Sequence, residues 1–223
     1  MNMQVIGHVY TCYGEKFGVP RQPGIVPQAW GELVFESEYR NADALRGLEG
    51  FSHIWVIFLF HQSVRSNWKP TVRPPRLGGN ERVGVFASRS PFRPNSIGLS
   101  VIKLEEIDLN HSDGPVLRLS GVDLVDQTPV LDIKPYISYA DAIPDALGGY
   151  VNGVPGCLKV KWLEGSCKSL SDDLKELITA TLATDPRPAY QDEDKQYGCL
   201  ISGYNVRWEV IGNCVLIHSC TRA

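Results

Sequence analysis

Two neighbouring stretches hold most of the side chains able to do chemistry. Residues 68–80 read WKPTVRPPRLGGN and residues 88–99 read SRSPFRPNSIGL. They carry Arg73, Arg76, Arg89 and Arg93, three of which adjoin a proline. Proline stiffens the backbone and removes a competing N–H, so such a guanidinium is carried on a rigid loop. Rigid arginines suit paired N–H donation to phosphate or carboxylate. Local bracing of a loop accounts for any one of them, but four within 21 residues favour an anion-binding surface. A third stretch, residues 122–136, reads VDLVDQTPVLDIKPY. Asp126-Gln127-Thr128-Pro129 reads as a turn in which Asp126 can bond its own backbone. Asp132 stands in an apolar run, where an unpaired carboxylate is costly, so a base or a backbone amide is expected beside it. His61-Gln62 ends the most apolar strand. His61 reads either as a core-edge residue or as a proton-transfer group, and spacing leaves both open.

Charge separates these stretches sharply. Residues 61–103 carry eight Lys/Arg against one Asp/Glu, a net +7, and residues 104–150 carry two against nine, a net −7. The whole-chain charge of −3 conceals both blocks. A patterned basic segment in a near-neutral chain excludes a general nucleic-acid-coating protein and fits a focused anion site. With 223 residues and 43% apolar content, the chain can build a packed core and is not disordered. Six cysteines include no C-x-x-C pair, which argues against a zinc ribbon or a thioredoxin-like motif. The opening MNMQVIGHVY lacks the pattern of a secretory signal, so the thiols are expected to be reduced and the protein cytoplasmic. The longest apolar run, IWVIFLF at 54–60, is too short to span a bilayer, so no membrane association is expected.

These groups must be positioned mainly by strands. Val5–Tyr10, Gly31–Phe35, His53–Phe60, Arg82–Ala87, Leu99–Ile107, Val116–Gly121 and Val130–Ile133 read as strands, with a short helix over Asn41–Leu48. Seven strands with few crossover helices predict a mainly β fold, a barrel or sandwich. No G-x-G-x-x-G turn is present, so the usual Rossmann nucleotide site is not expected. Residues 1–140 are expected to form this domain and the Gly/Pro-rich residues 141–156 a linker. Residues 157–223 predict a small α+β domain, with a strand at Cys157–Leu163, a helix over Ser169–Ala183 capped by Ser171, and strands at Tyr197–Ile201, Val206–Ile211 and Val215–His218.

Four segments, GFSHIW at 50–55, VRPPRLGGN at 72–80, GVFASRSPFRPNSIG at 84–98 and DQTPVLDIKPY at 126–136, closely resemble the TsaA-like (YaeB, TrmO) family. The resemblance continues through DPRPAY at 185–190 and NVRW at 205–208. It implies a β-barrel cofactor domain unlike the Rossmann methyltransferases and a homodimer. The implied reaction moves a methyl group from S-adenosylmethionine to N6 of N6-threonylcarbamoyladenosine, beside the tRNA anticodon. The family's cofactor contacts fall on Pro23, Gly24 and Ile25, on His61 and Gln62, on Arg89, on Leu99, and on Asp126, Gln127 and Thr128. Under this reading Asp126 and His61 are candidates for removing the N6 proton. Arg73, Arg76, Arg93 and Arg207 become candidates for meeting RNA. Two departures stand out: Gln127 where the family has glycine, and Ser96 where it has proline. If the glycine requires positive φ, Gln127 strains its turn. A non-catalytic regulatory protein binding adenosylmethionine or RNA is the alternative, followed by methylation of another nucleobase or a small molecule.

Overall fold

Alternation of inward and outward side chains builds the first half of the chain. A computed structural model describes residues 2–64, 66–151, 153–167, 170–187 and 195–223. Strands β1 (Gly7–Thr11), β2 (Trp30–Phe35) and β3 (His53–Leu59) are followed by a two-residue hairpin, β4 (Thr71–Val72) and β5 (Val83–Gly84). Next come β6 (Ile97–Asp108), β7 (Val116–Ser120) and β8 (Thr128–Pro135). Six of these close an antiparallel barrel in the order β1-β2-β7-β6-β3-β8, with β8 returning to β1. Ile54, Val56 and Phe58 of β3 point inward and are buried, as period-two patterning requires.

Two expectations need correcting. Arg82–Ala87 is not a barrel strand. Only Val83–Gly84 is extended there, paired with Thr71–Val72, and Val85–Ala87 turns into a 3-10 helix. Pro70, Pro74 and Pro75 flank β4 and lack the N–H that a longer ladder needs. Asn41–Leu48 is not one helix but two 3-10 turns, Ala42–Leu45 and Leu48–Gly50. Asn41 caps the first by accepting from Asp43 N–H at 2.9 Å, and Gly47, at φ +88°, separates them.

A short helix, α1 (Ser138–Asp141), ends where the residues read as a linker begin and is tied to the barrel by Trp55 Nε1 donating to Asp141 at 3.0 Å. The C-terminal sheet contains β9 (Lys159–Trp162), β10 (Tyr197–Ile201), β11 (Tyr204–Ile211) and β12 (Cys214–Arg222) in the order β10-β11-β12-β9. Helix α2 (Asp172–Ala183) starts at Ser171, whose side chain accepts from Leu174 N–H. Ser169 and Pro188–Tyr190 lie outside the described residues. Leu177, Ile178 and Leu182 of α2 join Val206, Trp208 and Ile217 in a core continuous with the barrel's.

The segment after β1 is the seam between the two sheets. Tyr13, fully buried, shares a hydroxyl hydrogen bond with Thr181 at 3.0 Å. Glu15 accepts from Leu200 N–H at 2.9 Å, and the Phe17 and Trp208 rings stack with centroids 6.2 Å apart. A loop that would otherwise be loose is thereby fixed against the C-terminal sheet.

Candidate functional site

That fixed segment leads into the Pro23-Gly24 turn. Gly24, at φ +76°, donates its N–H to the Gly121 carbonyl at 2.8 Å. A Cβ on Gly121 would stand 3.1 Å from the Gly24 Cα, so the bare backbone there permits the close approach. Pro23 and Ile25 then line a cleft of about 1830 Å³ between the turn, the end of β3 and the start of β6. Gln22 accepts from the Arg89 guanidinium, which joins the turn to the basic loop across the cleft.

His61 and Gln62 line the opposite wall in a 3-10 turn after β3. Burial holds the His61 imidazole below its usual pKa, against the opposing pull of a hydrogen bond to the Leu59 carbonyl. The ring is therefore neutral near pH 7, with one nitrogen donating to Leu59 and the other able to accept a proton. Leu99, half exposed, and Thr128, buried, complete this wall.

Asp123 is the group that sequence reading missed. Part of the residue reaches the cleft, yet its Oδ1 is sealed from solvent and has no hydrogen-bond partner among the described residues. Burial raises its carboxyl to about 6, with the Ser100 hydroxyl and the Arg89 charge working weakly in the other direction. An orphaned carboxylate oxygen beside a cleft is costly unless a donor or cation arrives there. The signal was an acid in an apolar run, the same that marked Asp132. Asp132 instead meets the Lys134 ammonium at 2.9 Å and Ile133 N–H at 2.9 Å on the surface.

The other sequence candidates divide. Arg73, Arg76 and Arg93 line the cleft with Arg89. Arg93 braces its own loop, donating to the Ser88 carbonyl at 2.8 Å, and Arg76 reaches the Gly153 carbonyl at 2.9 Å. No carboxylate forms an ion pair with Arg73, Arg76, Arg89 or Arg93 among the described residues, and the acidic block reaches the patch only through the weak attraction between Asp123 and Arg89. Asp126 and Gln127 do not line the cleft. Asp126 accepts from Thr11 N–H at 2.9 Å and donates its own N–H to the Tyr13 carbonyl at 2.8 Å, fastening the turn to the end of β1. Arg207 lies exposed on β11, away from the cleft lining.

Residues 8–142 match the tRNA-methyltransferase O N-terminal domain, and residues 157–223 match the C-terminal domain of the same family. The chain belongs to the tRNA-methyltransferase O family. It is 48% identical over 215 residues to an Escherichia coli tRNA (adenine(37)-N6)-methyltransferase, covering 92% of this chain and 91% of that protein. It is 44% identical over 212 residues to a Pseudomonas aeruginosa protein named as a putative S-adenosylmethionine-dependent methyltransferase, covering 91% and 90%. A crystal structure of TrmO superposes with a TM-score of 0.79 at 35% identity, over 99% of each chain. Within the tRNA-methyltransferase O family, the Pro-Gly turn, the His-Gln pair and the basic loops are here brought to one cleft.

Proposed function

We propose that this protein transfers a methyl group from S-adenosylmethionine to N6 of adenosine 37 in tRNA, acting on the N6-threonylcarbamoylated base. The observation that carries this reading is a cleft combining a buried carboxyl that has one unpartnered oxygen with a rim of arginines free of ion pairs among the described residues, in a chain of this family. S-adenosylmethionine supplies an electrophilic methyl on a cationic sulfonium. The residues present fit such a cofactor: Asp123 accepts from a cationic or amino group, and Pro23, Ile25 and Leu99 offer apolar contact. Asp126 supports this wall from behind by fixing the turn that leads through Gln127 to Thr128.

Of the two proton acceptors expected from sequence, His61 faces the cleft, while Asp126 Oδ1 is engaged by Thr11 N–H. We assign removal of the N6 proton to neutral His61, and most of the rate to holding the two reactants in line. Arg73 and Arg76 contact phosphate or the threonyl carboxylate, Arg93 braces the loop that carries Arg89, and Arg207 offers a remote phosphate contact. We read residues 1–140 as the cofactor domain, 141–156 as its linker and 157–223 as the second domain.

We further propose a homodimer. Trp55, Ile57 and Leu99 border a shallow apolar recess of about 320 Å³ next to the cleft, and Ile143 and Leu147 stand exposed in the following segment. A second copy would cover this face. No helix among the described residues is long and apolar enough to cross a membrane, and we read the enzyme as cytoplasmic because it acts on tRNA.

Mass spectrometry of tRNA nucleosides, after incubation with cofactor, tests the activity. A methyl group is expected on threonylcarbamoyladenosine from modified tRNA and on no nucleoside of tRNA lacking that group. Cofactor binding without methyl transfer to any RNA would leave the non-catalytic regulatory protein in its place.

A further inference from the structure

The β4–β5 hairpin holds two aromatic rings for which the barrel has no use. Thr71 pairs with Gly84 and Val72 with Val83, and Val85 N–H continues the ladder to the Pro70 carbonyl at 2.9 Å. The 3-10 turn over Val85–Ala87 then ends the ladder and carries Phe86 beside Trp68. Val85 is buried and anchors the hairpin, whereas Phe86 is 73% exposed and Trp68 51% exposed. The ring centroids lie 6.2 Å apart with planes tilted by 32°, and both rings line the cleft. One exposed aromatic residue is ordinary on a protein surface. A pair of packed rings at the mouth of a site, next to an anchored hairpin, calls for an occupant.

Charge identifies that occupant. Lys69, Arg73, Arg76 and Arg82 belong to the same segment, and Glu81 is its one carboxylate. No ion pair engages any of these four cations among the described residues. Unpaired cations beside open ring faces match a ligand that alternates phosphates with flat π surfaces, which is single-stranded nucleic acid. A second copy of this chain would bury these cations without supplying phosphate.

We infer that Trp68 and Phe86 form a stacking ledge for an unpaired base of the tRNA anticodon loop, with Arg73 and Arg76 on the flanking phosphates. The inference rests on the tRNA-methyltransferase reading and adds a base-binding subsite to it. The ledge holds the loop by stacking, independent of base identity, while the reacting adenosine enters the cleft.

Fluorescence anisotropy with a labelled anticodon stem-loop RNA tests the ledge. Trp68→Ala and Phe86→Ala are each expected to weaken binding on the order of tenfold, the loss of one base stack, and Trp68→Phe to restore most of it. The salt dependence should keep its slope, because no charge is removed. Affinity for S-adenosylmethionine, measured by calorimetry, should not move, and a fully paired RNA duplex should bind both variants as it binds the native protein. Native-like stem-loop binding by both alanine variants overturns the ledge, as does an equal loss on the duplex. A smaller sedimenting species for Trp68→Ala with unchanged RNA affinity also overturns it, placing the rings between copies. If the native protein binds no tRNA at all, the methyltransferase reading fails with it. If the native protein binds and methylates while the variants match it, the ledge alone fails.

Discussion

Gln127 occupies a backbone conformation that costs a side-chain-bearing residue free energy. Its φ of +60° is the left-handed region, which disfavours an L side chain by roughly 1–2 kcal/mol. Glycine there would relieve that strain but give back about 0.5–1 kcal/mol in chain entropy. Gln127→Gly is therefore expected to stabilise the fold by about 0.5–1 kcal/mol, a rise of roughly 1–4 °C in thermal melting. Asp123 is a different case, because its cost serves binding. Burial raises the carboxyl from its usual 3.8 to about 6. The folded chain then holds this proton more tightly than the unfolded one, so native stability falls as pH rises between those values and levels off above about 6. Cofactor affinity should change in the opposite sense over that window, since the ionised carboxylate is the form that attracts a cation. Asp123→Asn should raise the melting temperature of the ligand-free protein near neutral pH while weakening S-adenosylmethionine on the order of tenfold. Calorimetry across pH checks both effects, and the variant should show a flattened pH profile. Unchanged affinity would remove Asp123 from the cofactor wall.

At the scale of elements, β6 is where packing and site meet. Gly98 pairs with Phe58 of β3, and a Cβ there would fall 2.2 Å from the Phe58 ring. The next two residues, Leu99 and Ser100, both line the cleft. Gly98→Ala should destabilise the protein by about 1–3 kcal/mol through overpacking. It should also weaken cofactor binding by displacing those two side chains, and Phe58→Leu in the same chain should recover part of both losses. Melting and calorimetry read the two effects separately. The strand patterns of β1, β2, β3, β6, β7 and β8 were legible in sequence because alternation with one buried face is a local signal. The segment 82–87 misled because its Val and Phe spacing suits a strand, while the prolines of its partner limit pairing to two residues. Asn41 correctly marked a cap, but nothing local showed that Gly47 would split the helix into 3-10 turns.

On the whole-molecule scale, the C-terminal sheet completes the site without lining the cleft. Through Tyr13, Glu15 and Phe17 it fixes the segment that delivers Pro23. Arg21, next to cleft-lining Gln22, donates to the Arg187 carbonyl at 2.8 Å, carrying the same support to the cleft edge. Long-range charge also belongs to this scale. Each rim arginine on a phosphate releases counterions, so Arg76→Ala should weaken tRNA binding and lower the slope of log affinity against log salt by about 1. An unchanged slope in a salt titration would take Arg76 off the phosphate contacts. The sequence by itself determined the β-rich class, the family and the arginine-bearing loops, because periodicity, motif order and proline rigidity are local properties, and the structure supplied the positive φ that makes Gln127 a strained position. Only the tertiary structure decided which carboxylate matters. Asp123, Asp126 and Asp132 lie within ten residues of one another. One has an unpartnered oxygen beside the cleft, one is bonded to Thr11, and one is paired at the surface. Desolvation and hydrogen-bond partners make that difference, and both are set by residues distant in the chain.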